Sequence, residues 1–229
     1  MLRFFIFKNN SIIPMIYKNF GMAHWGSLGL VLLASLLASI HPLEFAAYLL
    51  HQSGTVVMVI LLILLNKRFG YSLWAFHLYN VFLILHIIGA HYLYSYVPYN
   101  ELLIHEFGFD LDQFMGWPRN MYDRLIHFGC GLLLYPFIYR TFEAWLPPVK
   151  PYVLFLLAIQ FIMASSLIYE LLEWWIALTM SPEAAENYNG QQGDAWDAHK
   201  DMFLAILGGV FYGLPALYAA HRKNKQVSY

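Results

Sequence analysis

The sequence predicts an all-α fold, a polytopic membrane helix bundle of about six transmembrane helices with both termini in the cytoplasm. Three observations lead there. Charged residues make up only 12% of the 229 residues and apolar ones 60%, whereas a water-soluble domain carries about 25% charged residues. Six stretches approach the roughly 20 apolar residues that a helix needs to cross a hydrocarbon core. The segments that join them alternate between basic and acidic.

The six stretches are residues 24–40, 43–65, 71–97, 125–146, 152–180 and 202–220. Each must be helical, because lipid offers no partner to a backbone N–H or C=O and a helix pairs these groups internally. The first is the shortest. Residues 1–23 read as a cytoplasmic or interfacial segment. Lys8, Asn9 and Asn10 interrupt its apolar residues and no small-residue cleavage site follows, so a removable signal peptide is not expected. Residues 24–220 form a single membrane domain without repeats or long linkers, and residues 221–229 form a basic cytoplasmic tail. In the longest connection, residues 98–122, the apolar residues of ELLIHEFGFDLDQF recur every three to four positions. That spacing predicts a short helix along the outer surface. Trp117 and Pro118 then turn the chain toward the fourth span.

Lys and Arg in short loops favour the cytoplasmic side. The N-terminus, residues 66–70, residues 140–150 and the C-terminus hold Arg3, Lys8, Lys18, Lys67, Arg68, Arg140, Lys150, Arg222, Lys223 and Lys225, ten of the thirteen basic residues. The other connections and adjoining helix ends hold Arg119, Arg124 and Lys200 with every acidic residue except Glu143. Both termini are therefore placed inside and the three acidic connections outside.

An ionisable side chain within a membrane helix costs about 2.5–3.5 kcal/mol on insertion scales, so such groups face a cavity, a partner or an ion. Four segments bring them to one depth. The third carries His86, His91, Tyr92, Tyr94 and Ser95 in its outer half. The fourth opens with YDRLIHF, where Asp123 and His127 stack one turn apart. The fifth holds Glu170 and Glu173 in YELLEWW, with Ser166 one turn deeper. The sixth begins in GDAWDAHKDM, where Asp194, Asp197 and Asp201 follow one helical stripe. Clustered carboxylates in a poorly hydrated place repel each other, by roughly 4 kcal/mol for two at 4 Å and an effective dielectric of 20. Raised proton affinities or a bound divalent ion with carboxylate and imidazole ligands would relieve them.

Each group also has a plainer explanation. Glu170 and Glu173 can anchor the fifth helix through Arg124 or water, Asp194, Asp197 and Asp201 can cap the sixth, and Asp123 with His127 can be a structural ion pair. His86 and His77 read as hydrogen-bonded packing residues, and His24, His41, His51, His105 and His221 have no constellation. The Trp and Tyr residues fit interfacial belts. Gly208, Gly209 and Gly213 in LGGVFYG read as close helix contacts, since no phosphate-cradling lysine follows. Cys130 is the only cysteine, which excludes an intrachain disulfide and a cysteine zinc knuckle. Neither a Gly-x-Ser-x-Gly elbow nor a His-Glu-x-x-His motif occurs.

The blocks HIIGAHYLYS, RNMYDRLIHF, YELLEWW and GDAWDAHKDM resemble those of the YjdF-like bacterial inner-membrane family, from about residue 75 to 213. The resemblance implies a multi-pass bacterial inner-membrane location and no particular chemistry. More distantly, Asp123, His127, Glu170, Asp201 and Gly208 occupy places comparable to an Asp-Lys-x-x-His-Phe helix start, a later Glu, and an Asp before a Gly-containing helix in VanZ-like membrane proteins. Arg124 and Ala205 depart from that pattern. The likeness implies a shared four-helix core and relevance to envelope lipids or glycopeptides.

The expected site is an outward-facing pocket in which Glu170, Glu173, Asp197 and Asp201 hold a divalent metal ion. His127 or His91 serves as acid or base beside Asp123, and Arg124 orients an anionic lipid headgroup or envelope precursor. The expected partner is a membrane lipid and not a nucleic acid. Metal-dependent hydrolysis or transfer on that lipid is one reading. A structural or accessory membrane protein, or a cation- or proton-coupled transporter, are the alternatives.

Overall fold

The structure is a computed structural model that describes residues 5–8 and 11–227; Arg3, Asn9 and Asn10 of the expected N-terminal segment, and the last two residues of the tail, lie outside the described residues. Six long helices appear where the apolar stretches lie: α1 (Met22–Ala38), α2 (Phe45–Phe69), α3 (Leu73–His91), α6 (Tyr122–Trp145), α7 (Pro151–Ala177) and α9 (Asp197–Val227). All but α1 are long and apolar enough to span a bilayer, and α1 is a shorter apolar helix. Their outer faces are apolar and bare. Leu32, Leu33 and Leu36 on α1, Val56, Val57 and Ile60 on α2, and Phe203, Phe211 and Leu214 on α9 are exposed, as a lipid solvent allows and water does not.

Local chemistry sets the ends of the spans. Glu44 accepts hydrogen bonds from the Ala46 and Ala47 amides at the start of α2, and Ser72 accepts from Ala75 at the start of α3. Lys67 and Arg68 sit in the last turn of α2, where cations favour the helix dipole. Pro151 begins α7, a position where its missing N–H costs no hydrogen bond.

Four features differ from the expectation. In the N-terminal segment β1 (Phe5–Lys8) and β2 (Ser11–Pro14) pair antiparallel. The helix expected in residues 98–122 is two helices, α4 (Tyr99–Phe107) and α5 (Leu111–Met115), because Gly108 adopts a left-handed conformation between them. A further helix, α8 (Pro182–Asn189), precedes α9; Ser181 caps it, with Pro182 at its first position. Finally, α3 ends at His91 rather than at residue 97, since Leu93 and Tyr94 take φ of 52° and 55° and turn the chain back.

Helices α1 and α2 pack on α3, α3 packs on α6, and α6 packs on α7 and α9. The core between them holds Leu62, Phe76, Leu83, Ile87, Ala158 and Ile162. At the basic end Asn66 donates to the Lys18 carbonyl at 3.4 Å, Tyr71 shares a 2.7 Å hydrogen bond with Thr141, and Arg140 donates to the Gly70 carbonyl at 3.3 Å. The acidic ends of α3, α6, α7 and α9 meet at the opposite pole.

Candidate functional site

Two parallel helices build the site. Along α6, Asp123, His127, Gly131 and Tyr135 recur every fourth residue and so share a face; along α9, Asp197, Asp201, Ala205, Gly209 and Gly213 do the same. The lower parts of the two stripes touch almost backbone to backbone. A Cβ on Gly131 would collide with the Ala205 carbonyl and stand 2.6 Å from the Gly209 nitrogen. On Gly208 it would collide with the Phe128 carbonyl, and on Gly213 it would stand 2.7 Å from the Tyr135 ring. Small residues permit such approach between helices in lipid. This crossing sets the register of the upper parts, so that His127 and Asp201 face each other one turn above it.

There one ligand atom each from Asp123, His127 and Asp201 lie within 4.8 Å of one another. His127 Nε2 stands 3.7 Å from Asp123 Oδ1 and 3.8 Å from Glu170 Oε1, contributed by α7. These separations are too long for hydrogen bonds. They match two ligands sharing one ion, since donors about 2.1 Å from a metal stand ~3–4 Å apart. All four groups are sequestered: Asp201 is 2% exposed, and the side chains of Asp123, His127 and Glu170 are 9–10% exposed. Yet among the described residues Asp201 Oδ1, Glu170 Oε1 and the neighbouring Ser166 Oγ find no hydrogen-bond partner. Leaving a buried polar atom unpaired costs about 1–3 kcal/mol, and more for a charged one.

Asp197 is engaged elsewhere. Arg119 Nη2 donates to its Oδ1 at 2.5 Å and Arg124 Nη2 at 3.1 Å. Arg124 also pairs with Asp194, which takes a further 2.7 Å hydrogen bond from Lys200. That Lys200 contact, followed by the Trp196 amide, holds the Asp194 carboxyl well below its usual range. Arg119 Nη1 meanwhile donates to the carbonyls of Gly190 and Gln191, at 3.1 and 2.6 Å. One guanidinium thus ties the α8–α9 loop to α9. Gly190, in a left-handed conformation, brings that loop over Asp123, whose carboxyl carbon would lie 4.0 Å from a Cβ there.

Beside the cluster, between α2, α3, α6 and α7, lies a cavity of about 420 Å³ whose polar end presents His86, Tyr94, Asp123, His127 and Ser166. Tyr94 reaches it because the reversal after α3 folds its ring over Gly89, where no Cβ would fit. Its hydroxyl lies 2.5 Å from His86 Nδ1, while His86 Nε2 faces the His51 carbonyl at 3.3 Å. With Nε2 donating to that carbonyl, Nδ1 accepts from the tyrosine. His51 in turn stacks on Tyr188 of α8, the rings 4.4 Å apart and nearly parallel.

A family model described as a predicted membrane protein (DUF2238) matches residues 23–223. The chain belongs to this DUF2238 family. The inner membrane protein YjdF of Escherichia coli (strain K12) is 30% identical over 163 residues, which cover 71% of this chain and 74% of that protein. No solved structure matches. The YjdF-like resemblance of the four blocks therefore holds, and with the apolar helices it makes this DUF2238 protein a multi-pass inner-membrane protein.

Of the residues expected at the site of this DUF2238 protein, Asp123, His127, Glu170 and Asp201 converge. Glu173, half-buried, is one turn from Glu170 on α7. Asp197 and Arg124 are bound to each other in the network above rather than aimed into the cluster. His91 stands apart: its Nδ1 lies 2.8 Å from the Ala38 carbonyl, at the junction with α1. Sequence reasoning passed over Arg119 as an organiser, and over Tyr169, which lies edge-on to His127 at 5.8 Å. Gly89, five residues before Tyr94, was the available signal for the reversal that carries Tyr94 inward.

Proposed function

We propose that the protein binds a divalent cation through Asp123, His127 and Asp201, and uses it for hydrolysis or group transfer on an envelope lipid or its precursor. One observation carries the reading: three ligand atoms of mixed carboxylate and imidazole type converge in a buried place where Asp201 Oδ1 and Glu170 Oε1 are left unpartnered. Such a donor set suits Mn²⁺ or Zn²⁺, and with added waters Mg²⁺. Held by Asp123, His127 and Asp201, such an ion would supply Lewis acidity and make a nearby water easier to deprotonate. Glu170, 3.8 Å from His127 Nε2, is placed to take that water's proton. Hydrolysis there would join the water oxygen to the phosphorus or acyl carbon of the ester as the ester bond to the leaving oxygen breaks, and Glu170 would pass the proton to that leaving oxygen. In transfer, a hydroxyl of an acceptor replaces the water.

A cation path is disfavoured, because the cavity below the cluster is walled by Leu65, Leu134, Phe137, Ile138 and Phe142. The test is elemental mass spectrometry of the detergent-purified protein beside Asp123→Asn and Asp201→Asn, each checked by size-exclusion elution and thermal unfolding. Near-stoichiometric metal in the parent, lost from folded variants, is the expected result. A parent that holds no metal after incubation with Mg²⁺, Mn²⁺, Zn²⁺ or Ca²⁺ overturns the reading in favour of a hydrogen-bonded structural network.

A further inference from the structure

The cavity beside the cluster is graded along the membrane normal. Its acidic end carries the polar groups, and its walls toward the basic end are aliphatic and aromatic as far as Thr141 and Trp145. From Asp123 to Ile138 along α6 is about 22 Å at 1.5 Å per residue, enough for a chain that spans one leaflet, half of a hydrocarbon core of roughly 30 Å.

It also has a side door. Leu61 on α2, Phe161 on α7 and Trp145 at the end of α6 line the cavity and are 45%, 49% and 69% exposed, so the cavity is not closed off at these residues. Among the described residues α2 and α7 scarcely meet, although each packs on the helices between them. The opening therefore faces the bilayer. Protein interiors pack without gaps of this size, and an aliphatic cavity offers a water few of the two to four polar partners it needs.

We infer that this cavity seats one acyl chain of a membrane glycerophospholipid, which slides in between α2 and α7 and brings its ester and phosphate region to the acidic cluster. The amphiphile fits in one direction only. Its apolar chain lies along Leu134 and Ile138 toward the basic end, and its polar part lies beside Asp123, His127 and Tyr94. A lipid of the leaflet at the acidic end already has that orientation, so it need only move sideways. The inference rests on the metal-site reading in assigning the polar part to the cluster; the seat for the chain stands on the cavity alone.

The test reconstitutes the full chain in nanodiscs with a phosphatidylglycerol or phosphatidylethanolamine that carries a diazirine near the methyl end of one acyl chain. After irradiation the adducts are mapped by mass spectrometry. Adducts are expected on the inward-facing wall, at Leu134, Phe137 or Ile138, competed by the unmodified phospholipid. They should be lost in Ile138→Trp, with Ser165→Phe as a second filled cavity and Leu172→Trp, on the lipid-facing surface, as a variant that keeps them. Adducts confined to outward-facing residues, or unchanged in both filled variants, overturn the inference. So does labelling of the wall by a diazirine polyprenyl phosphate but not by the phospholipid. Metal content measured on the same samples separates the two claims. Wall adducts in a protein without metal retire only the metal centre, and a loaded metal without wall adducts retires only the acyl seat.

Discussion

The carbonyl oxygen of Ala205 on α9 lies so close to Gly131 on α6 that no side chain can stand between them. Because the obstacle is backbone on both sides, neither helix can yield by a rotamer change. Gly131→Ala is therefore expected to push α9 away and to destabilise the protein by about 1–3 kcal/mol or more, the usual range for overpacking. His127 and Asp201 lie one turn above this point, so metal content should fall together with the thermal unfolding temperature in detergent. A variant with unchanged unfolding temperature would show that the crossing is looser than described.

Asp197 and Asp201 lie one turn apart on α9 and should respond oppositely to neutralisation. Asp197→Asn removes the acceptor shared by Arg119 and Arg124, and breaking such a buried pair costs about 3–5 kcal/mol. Asp201→Asn removes a carboxylate whose Oδ1 finds no partner among the described residues. In metal-free protein it should leave the unfolding temperature equal or higher, because one source of like-charge repulsion is gone. Thermal denaturation in chelator checks the contrast.

Gly190→Ala tests the loop over Asp123. Its φ of 67° is costly for a residue with a Cβ, and the new carbon would stand 3.2 Å from Ser95 Oγ. A penalty of about 1–2 kcal/mol is expected from the left-handed conformation. Faster hydrogen exchange across residues 189–194, with the exchange of α3 and α6 unchanged, is the result that checks it.

The bond between Asp194 and Lys200 has a defined pH response. The Asp194 carboxyl is depressed from its ordinary value of 3.8, chiefly by the Lys200 hydrogen bond and then by the Trp196 amide. The stability it contributes is thus full above pH 3.8 and is lost only as pH falls through the lower folded value. Exchange protection of this segment, corrected for intrinsic rates, should be the same at neutral and mildly acidic pH in the parent protein. In Asp194→Asn it should be reduced at both.

The spans were legible because a bilayer leaves the backbone one solution, so apolar length alone locates α1, α2, α3, α6, α7 and α9. What length does not encode is where a helix breaks inside an apolar run. The sequence predicts six more helical residues, 92–97, where the chain reverses at Leu93 and Tyr94, and its apolar pattern does not show the small polar helix α8 although Ser181 and Pro182 announce it. The same division runs through the site. The one-turn spacing of Asp123 and His127, and of Asp197 and Asp201, put these groups at one depth. Which carboxylates are free for a ligand depends on Arg119, 78 residues before its partner Asp197, and helical periodicity carries no information about such a contact. Likewise His91 shares its segment with Tyr94, but the turn between them sends one toward α1 and the other into the cavity.

The gap between α2 and α7 alters what concentration means for this protein. A binding place reached through the side of the bundle samples molecules already dissolved in the membrane, so its occupancy follows their mole fraction among the lipids and not their amount per volume of water. Diluting a reconstituted sample with buffer would then leave binding untouched, whereas diluting the ligand with inert lipid at constant total volume would weaken it.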